Sequence, residues 1–288
     1  MDKRNMAPSN VRTSLLCPNC RKLISGSIDS CPFCGLKNPS SKLKNNAFTR
    51  SLGDSDQLVT ILIALNVILF LVSAMLIPSQ TGFNFSPFNF LSPSSKSLFI
   101  LGSTGSIPLF QYDRWWTLIT ANFLHGSALH LIFNMLAVRQ LAPLVIEEFG
   151  AYRTISIYIL GGIGGFAISA FAGVRLTIGA SAALCSLIGA LLYYGKSRGG
   201  VYGQAIFSQI GGWALGIAIF GFLVPGINNW GHGGGVVTGI LLSMLLGYRE
   251  KRKENISHKI VAMICVLLTA LALIWSCFGA ALYLISSR

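Results

Sequence analysis

This sequence is short of charge. Only 11% of its 288 residues are Asp, Glu, Lys or Arg, while 52% are hydrophobic. A soluble domain carries about 25% charged residues, so too few are present to cover a water-facing surface, and lipid is the expected main solvent. Acidic groups are scarcest: 9 Asp+Glu stand against 22 Lys+Arg, and none lies between Glu148 and Glu250. That gap excludes a pair of catalytic aspartates within the stretch and leaves no carboxylate there to complete a Ser-His-Asp triad. HExxH is absent, which removes the usual zinc-protease pattern. No apolar h-region precedes the first hydrophobic run, because residues 1–57 are polar. The N-terminus is therefore expected to remain cytoplasmic.

What the sequence has is long apolar runs. A span needs about 20 mostly apolar residues, and seven candidates follow one another at about 58–77, 117–138, 154–173, 178–194, 205–223, 228–246 and 260–285. With the N-terminus inside, 18 of the 22 basic residues fall in cytoplasmic segments. Only Lys96, Arg114, Arg175 and Arg288 fall outside, a strong positive-inside bias. The expectation is an all-α polytopic protein of the cell membrane, its C-terminus extracytoplasmic. Topology accounts for the basic excess, so no nucleic acid partner is expected; the bilayer is. The long outer loop before Asp113 is rich in Phe, Ser and Pro and nearly free of charge, which suits the membrane interface.

Four of the seven cysteines stand together near the start. Residues 17–35 read CPNCRKLISGSIDSCPFCG, two CxxC knuckles able to set Cys17, Cys20, Cys31 and Cys34 tetrahedrally around one zinc ion. In a reducing cytoplasm the alternative, disulfides, is disfavoured. The expectation is a zinc-ribbon-like module (17–35) within a cytoplasmic region 1–50, its zinc structural and its own partner unreadable. Cys185, Cys265 and Cys277 lie in apolar runs, where cysteine behaves as a small hydrophobe.

Ionisable groups within spans are costly and usually functional. Here His125, His130 and Asn134 fall early in the second span, Ser181 early in the fourth and His232 early in the sixth. These three spans run in the same direction, so the polar groups share one depth and one site open to extracytoplasmic water. Serine needs a base to become a nucleophile, and histidine is the usual one. Amide hydrolysis also needs donors for the developing oxyanion. His130 and Asn134 are four residues apart on one helix face and can supply them with the Ser181 backbone N–H. Gly235 and Gly239, with Ser181, Cys185 and Gly189, form small-residue edges that let the two spans approach and bring His232 within reach of Ser181. His125, nine residues from Asn134, is expected to be structural.

Across about residues 58–250 the sequence resembles the rhomboid family of intramembrane serine proteases. The HxxxxHxxxN motif matches His125, His130 and Asn134; GxSx matches Gly179 and Ser181; HxxGxxxG matches His232, Gly235 and Gly239. The resemblance implies a rhomboid-like six-helix core over 58–250 and a seventh transmembrane helix over 258–288. It also implies Ser181 as nucleophile, His232 as base, His130 and Asn134 lining the oxyanion site, no cofactor for catalysis, and transmembrane protein substrates. Ala182 stands where the family usually has Gly, Thr117 where a Trp-Arg pair usually has Arg, and Ile146 where an acidic residue is usual. The alternative is a catalytically silent relative that binds membrane clients without cutting them.

Overall fold

The computed structural model describes residues 14–17, 22–36, 39–40, 55–77 and 91–286. The chain divides into two compact units, Met1–Asp54 and Ser55–Arg288. In the first, β1 (Ser14–Leu16) pairs antiparallel with β2 (Leu23–Ser25), Leu16 opposite Leu23. Cys17, Ile24 and Cys31 form its small core.

The second unit is helical: α1 (Ser55–Leu76), α2 (Ser95–Ile100), α3 (Ser106–Phe110), α4 (Thr117–Thr120), α5 (Ala128–Phe149), α6 (Ala151–Phe171), α7 (Ser181–Arg198), α8 (Gly200–Leu223), α9 (Asn229–Leu246) and α10 (Ile256–Ser286). Five of these, α1, α5, α6, α8 and α10, are long and apolar enough to cross a membrane. Each of the five offers at least 21 residues, about 31 Å of helix, which matches the hydrocarbon core. Helices α7 and α9, 18 residues each, fall short in apolarity. α9 carries five glycines in its first eleven residues and α7 ends on Lys196 and Arg198; α7 is largely shielded from lipid, packing against α5, α6, α8 and α9.

The second span starts later than the sequence predicts. Residues 117–127 form α4, a 3-10 turn (Ala121–Phe123) and an extended exit at Leu124. Ser127 then caps α5, its side chain accepting the His130 N–H at 3.2 Å. An N-cap serine is a helix start signal, but the apolar run across it hides the break. Arg139, placed by the sequence at the inner end of this span, is instead the twelfth residue of α5. Thr117 is buried; its hydroxyl donates to the Arg114 carbonyl at 2.6 Å and lies 3.0 Å from Thr104 Oγ1. Thr104 in turn forms a backbone bridge with Thr177, which ties the segment after α2 to the residues that lead into Ser181.

Two clamps hold α10 to the core. At one end buried Arg153 on α6 donates to the carbonyls of Phe149 and Arg252 at 3.0 and 2.5 Å, and its Nε to His258 Nε2 at 3.4 Å. The backbone N–H of Arg153 donates to Glu254 at 3.0 Å. Burial raises the pKa of the Glu254 carboxyl, and the Arg153 backbone N–H and side-chain charge oppose that rise. Gly150, at φ 94, turns the chain between α5 and α6, and a Cβ there would fall 2.3 Å from the Glu254 carboxylate carbon. At the other end Ser276 donates to the Leu101 carbonyl at 2.6 Å.

Candidate active site

Ser181 opens α7 and His232 is the fourth residue of α9. His232 Nε2 lies 2.9 Å from Ser181 Oγ, a hydrogen-bond distance. The other ring nitrogen, Nδ1, is buried and has no partner among the described residues.

The pair meets because α7 and α9 touch backbone to backbone. A Cβ at Gly235 would fall 2.3 Å from the Ala182 carbonyl oxygen, and one at Gly239 2.0 Å from that of Ser186. From the other side, a Cβ at Gly189 would fall 2.1 Å from the Val236 carbonyl oxygen. These are the small-residue edges read in the sequence. A third such edge was missed. In α6, a Cβ at Gly161 would collide with the Ser186 side chain, and one at Gly165 would fall 2.7 Å from the Gly231 carbonyl oxygen. The available signal was the GGIGG run at 161–165, which reads simply as part of an apolar span. Asn228 was missed too. It caps α9 by accepting the Gly231 N–H at 2.9 Å, and its amide donates to Ser169 Oγ at 2.7 Å and Thr177 Oγ1 at 2.9 Å. One residue thereby fixes the start of the His232 helix to α6 and to the segment before Ser181.

Gly179 has φ 121, a conformation that favours glycine, and its N–H donates to the Ala121 carbonyl at 2.8 Å. A Cβ there would fall 2.7 Å from Nε2 of His130 and 3.7 Å from Ser181 Oγ. The missing side chain is what lets the His130 imidazole lie beside the serine. His130 Nδ1 accepts the Gly126 N–H at 3.4 Å, so the proton of the neutral ring is assigned to Nε2, on the Gly179 side. Asn134, buried one turn further along, donates one amide hydrogen to the His130 carbonyl at 2.8 Å, and its second amide hydrogen has no such bond among the described residues. No hydrogen bond joins Asn134 to Ser181 among the described residues. His125 is fully buried before α5, its ring edge-on to that of His130 with centroids 5.0 Å apart.

Ser181 also sits at a helix start with no side-chain cap. The first-turn N–H groups of a helix have no internal acceptor, and the helix dipole there favours developing negative charge. Between α7, α8 and α9, an apolar cavity of about 190 Å³ reaches His232, with Cys185, Ile217 and Val236 in its wall.

In the N-terminal unit the thiols of Cys17, Cys31 and Cys34 lie within 4.8 Å of one another. Cys17 Sγ and Cys34 Sγ are 3.6 Å apart. Tetrahedral zinc–thiolate bonds of about 2.3 Å put sulfurs about 3.8 Å apart, so the three thiols fit a zinc site. Cys20, the fourth predicted ligand, lies outside the described residues.

Residues 112–249 match the Rhomboid domain family model, and this stretch holds His130, Asn134, Ser181 and His232. The chain carries a rhomboid domain. RHOMBOID-like protein 6, mitochondrial, of Arabidopsis thaliana is 35% identical over 186 residues, 60% of this chain and 60% of that protein. Rhomboid protease GluP of Bacillus subtilis (strain 168) is 32% identical over 160 residues, 54% of this chain and 31% of that protein. Rhomboid-like protease 5 of Toxoplasma gondii is 30% identical over 160 residues, 54% of this chain and 19% of that protein. The chain spans 60% or less of the length of each of these three relatives. With its rhomboid domain and five apolar helices, this is a multi-pass membrane protein.

Proposed function

We propose that this chain is an intramembrane serine protease that cuts peptide bonds in or near the transmembrane segments of other membrane proteins. The 2.9 Å contact between Ser181 Oγ and His232 Nε2 carries the reading. As the Ser181 Oγ–H bond breaks, its proton passes to Nε2 while Oγ forms a bond to the substrate carbonyl carbon. The carbonyl oxygen becomes an oxyanion, received by the Ser181 N–H, by Nε2–H of His130 and by the second amide hydrogen of Asn134. The C–N bond then breaks, and the protonated His232 gives its proton to the leaving amine. Water, deprotonated by His232, hydrolyses the acyl-enzyme and restores Ser181. With no carboxylate between Glu148 and Glu250, helix packing orients the His232 ring.

Zinc held by Cys17, Cys20, Cys31 and Cys34 fits a closed structural site that takes no part in this chemistry. The charge distribution supports a cytoplasmic N-terminus, an extracytoplasmic C-terminus and a Ser181 site that opens to the extracytoplasmic side.

The test combines fluorophosphonate labelling with cleavage of a single-span substrate in reconstituted vesicles. The wild type labels on Ser181 and cuts. Ser181→Ala and His232→Ala reduce cleavage to background, and the double variant is scarcely worse than either, because the two act as a unit. A His232→Ala protein that inserts and still cuts near the wild-type rate defeats the assignment. A wild type that binds clients but neither labels nor cuts makes it a silent client-binding relative.

A further inference from the structure

A second cavity, of about 680 Å³, opens between residues 99–116 and α10. Five rings, those of Phe99, Tyr112, Trp116, Trp275 and Tyr283, stand in its wall. Interfacial aromatics alone would anchor a helix anywhere at headgroup level; what sets this place apart is its concavity and its charges. Arg114 lies over the rings of Phe99 and Trp116, 4.8 and 4.7 Å from their centroids. It donates to the carbonyls of Phe99 and Ile100 at 2.9 and 3.1 Å, which leaves three of its five N–H groups. Lys96 Nζ lies 4.9 Å from the centroid of Tyr283, and Asp113 adds a carboxylate to the wall.

The cavity belongs to the Ser181 end of the bundle, through the Thr104–Thr177 bridge. By the charge count that end holds only four basic residues, Lys96, Arg114, Arg175 and Arg288; of these Arg114 lines the cavity and Lys96 lies against its Tyr283 ring. From the cavity towards the other end of α10, Leu271, Leu268 and Ile264 are exposed and recur at helical spacing with Trp275 of the wall as one apolar stripe. Cations, a carboxylate, ring faces and an apolar stripe leading away from them match the parts of one molecule.

We propose that this cavity holds the headgroup of a single zwitterionic phospholipid. Its phosphate lies between Lys96 and Arg114, its ammonium lies on Asp113 and the ring faces, and its acyl chains follow the α10 stripe. The site stands apart from Ser181 and does not depend on the protease reading.

Gly279 supplies a clean way to close the cavity. It lines the wall, and among the described residues a Cβ there meets nothing within 4 Å. Full-length protein is reconstituted in vesicles of equal phosphatidylethanolamine and phosphatidylglycerol, extracted in mild detergent and weighed by native mass spectrometry. The wild type keeps one phosphatidylethanolamine per chain, and Gly279→Trp keeps none while melting at the wild-type temperature. Lys96→Ala lowers retention about tenfold, the worth of one hydrogen bond to a charged group. Asp113→Asn shifts the retained lipid towards phosphatidylglycerol. Four results each overturn the proposal: wild type that retains no lipid, Gly279→Trp that retains it, equal retention of the two lipids, or displacement by inorganic phosphate alone. If Gly279→Trp fails to fold, unchanged retention in Lys96→Ala decides against it.

Discussion

Helices α7 and α8 are neighbours in sequence and opposites in the bundle. Twelve of the eighteen residues of α7 are buried, against four of the twenty-four of α8. The lipid-facing helix α8 is apolar enough to read as a span on composition alone, whereas α7, which carries Ser181, is not. Glycine separates them as well. At Gly211, Gly212 and Gly216 of α8 a Cβ would meet nothing within 4 Å among the described residues, while at Gly189 of α7 it would meet backbone. The same residue type marks open lipid-facing surface in one helix and closest approach in the other. The shortfall of α7 comes from its end at Lys196 and Arg198; its buried residues are mostly apolar, packed by protein where those of α8 would meet lipid.

The sharpest way to break this contrast is to add bulk at the inner contact. Gly239→Leu, whose Cβ would fall 2.0 Å from the Ser186 carbonyl oxygen, is expected to abolish both cleavage and fluorophosphonate labelling, although it touches no substrate. Retained labelling would show that α7 and α9 can part without separating Ser181 from His232. Next in size is His130→Ala, expected to lower cleavage about 10²–10³-fold, the loss typical of one oxyanion donor. Asn134→Ala is expected to cost less, since one of its amide hydrogens already serves the His130 carbonyl. Initial rates on a single-span substrate rank the two.

A smaller effect is expected from the other unit. Removal of residues 1–50 should eliminate about one zinc per chain, measured by atomic emission, while Ser181 labelling stays near the wild-type level. Zinc that survives the truncation, or labelling that fails without it, contradicts a structural, non-catalytic site. The smallest effect belongs to the outer face. Gly216→Ala in α8 is expected to leave cleavage unchanged and to stabilise by no more than about 1 kcal/mol, the helix preference of Ala over Gly, read by thermal melting. A large loss there would mean that α8 is as tightly fitted as α7.

Much of this was legible in the sequence, for particular reasons. Polar residues at one depth in alternate spans signal a shared site, and His130, Ser181 and His232 do converge. Gly235 and Gly239 announced the α7–α9 contact because small residues one turn apart have few other uses in a membrane helix. The start of α5 was not legible. Residues 117–127 are apolar enough to extend a span, and the break depends on a single capping serine, Ser127. The role of α6 was hidden for a related reason: glycines 161–165 raise no alarm within an apolar run, and only the packed structure shows which of them face Ser186 and Gly231. Asn228 was illegible because its partners, Ser169 and Thr177, are more than fifty positions away.

Arg153 sets a boundary that the family match does not. A fragment trimmed to residues 112–249 would keep this guanidinium and discard Arg252, Glu254 and His258, leaving the Phe149 carbonyl as its one remaining partner of those described above. A buried cation stripped of its acceptors is strongly destabilising, so that fragment is a poor subject for structural or inhibitor work. The shortest piece that keeps Arg153 satisfied must run on into the first turn of the last helix.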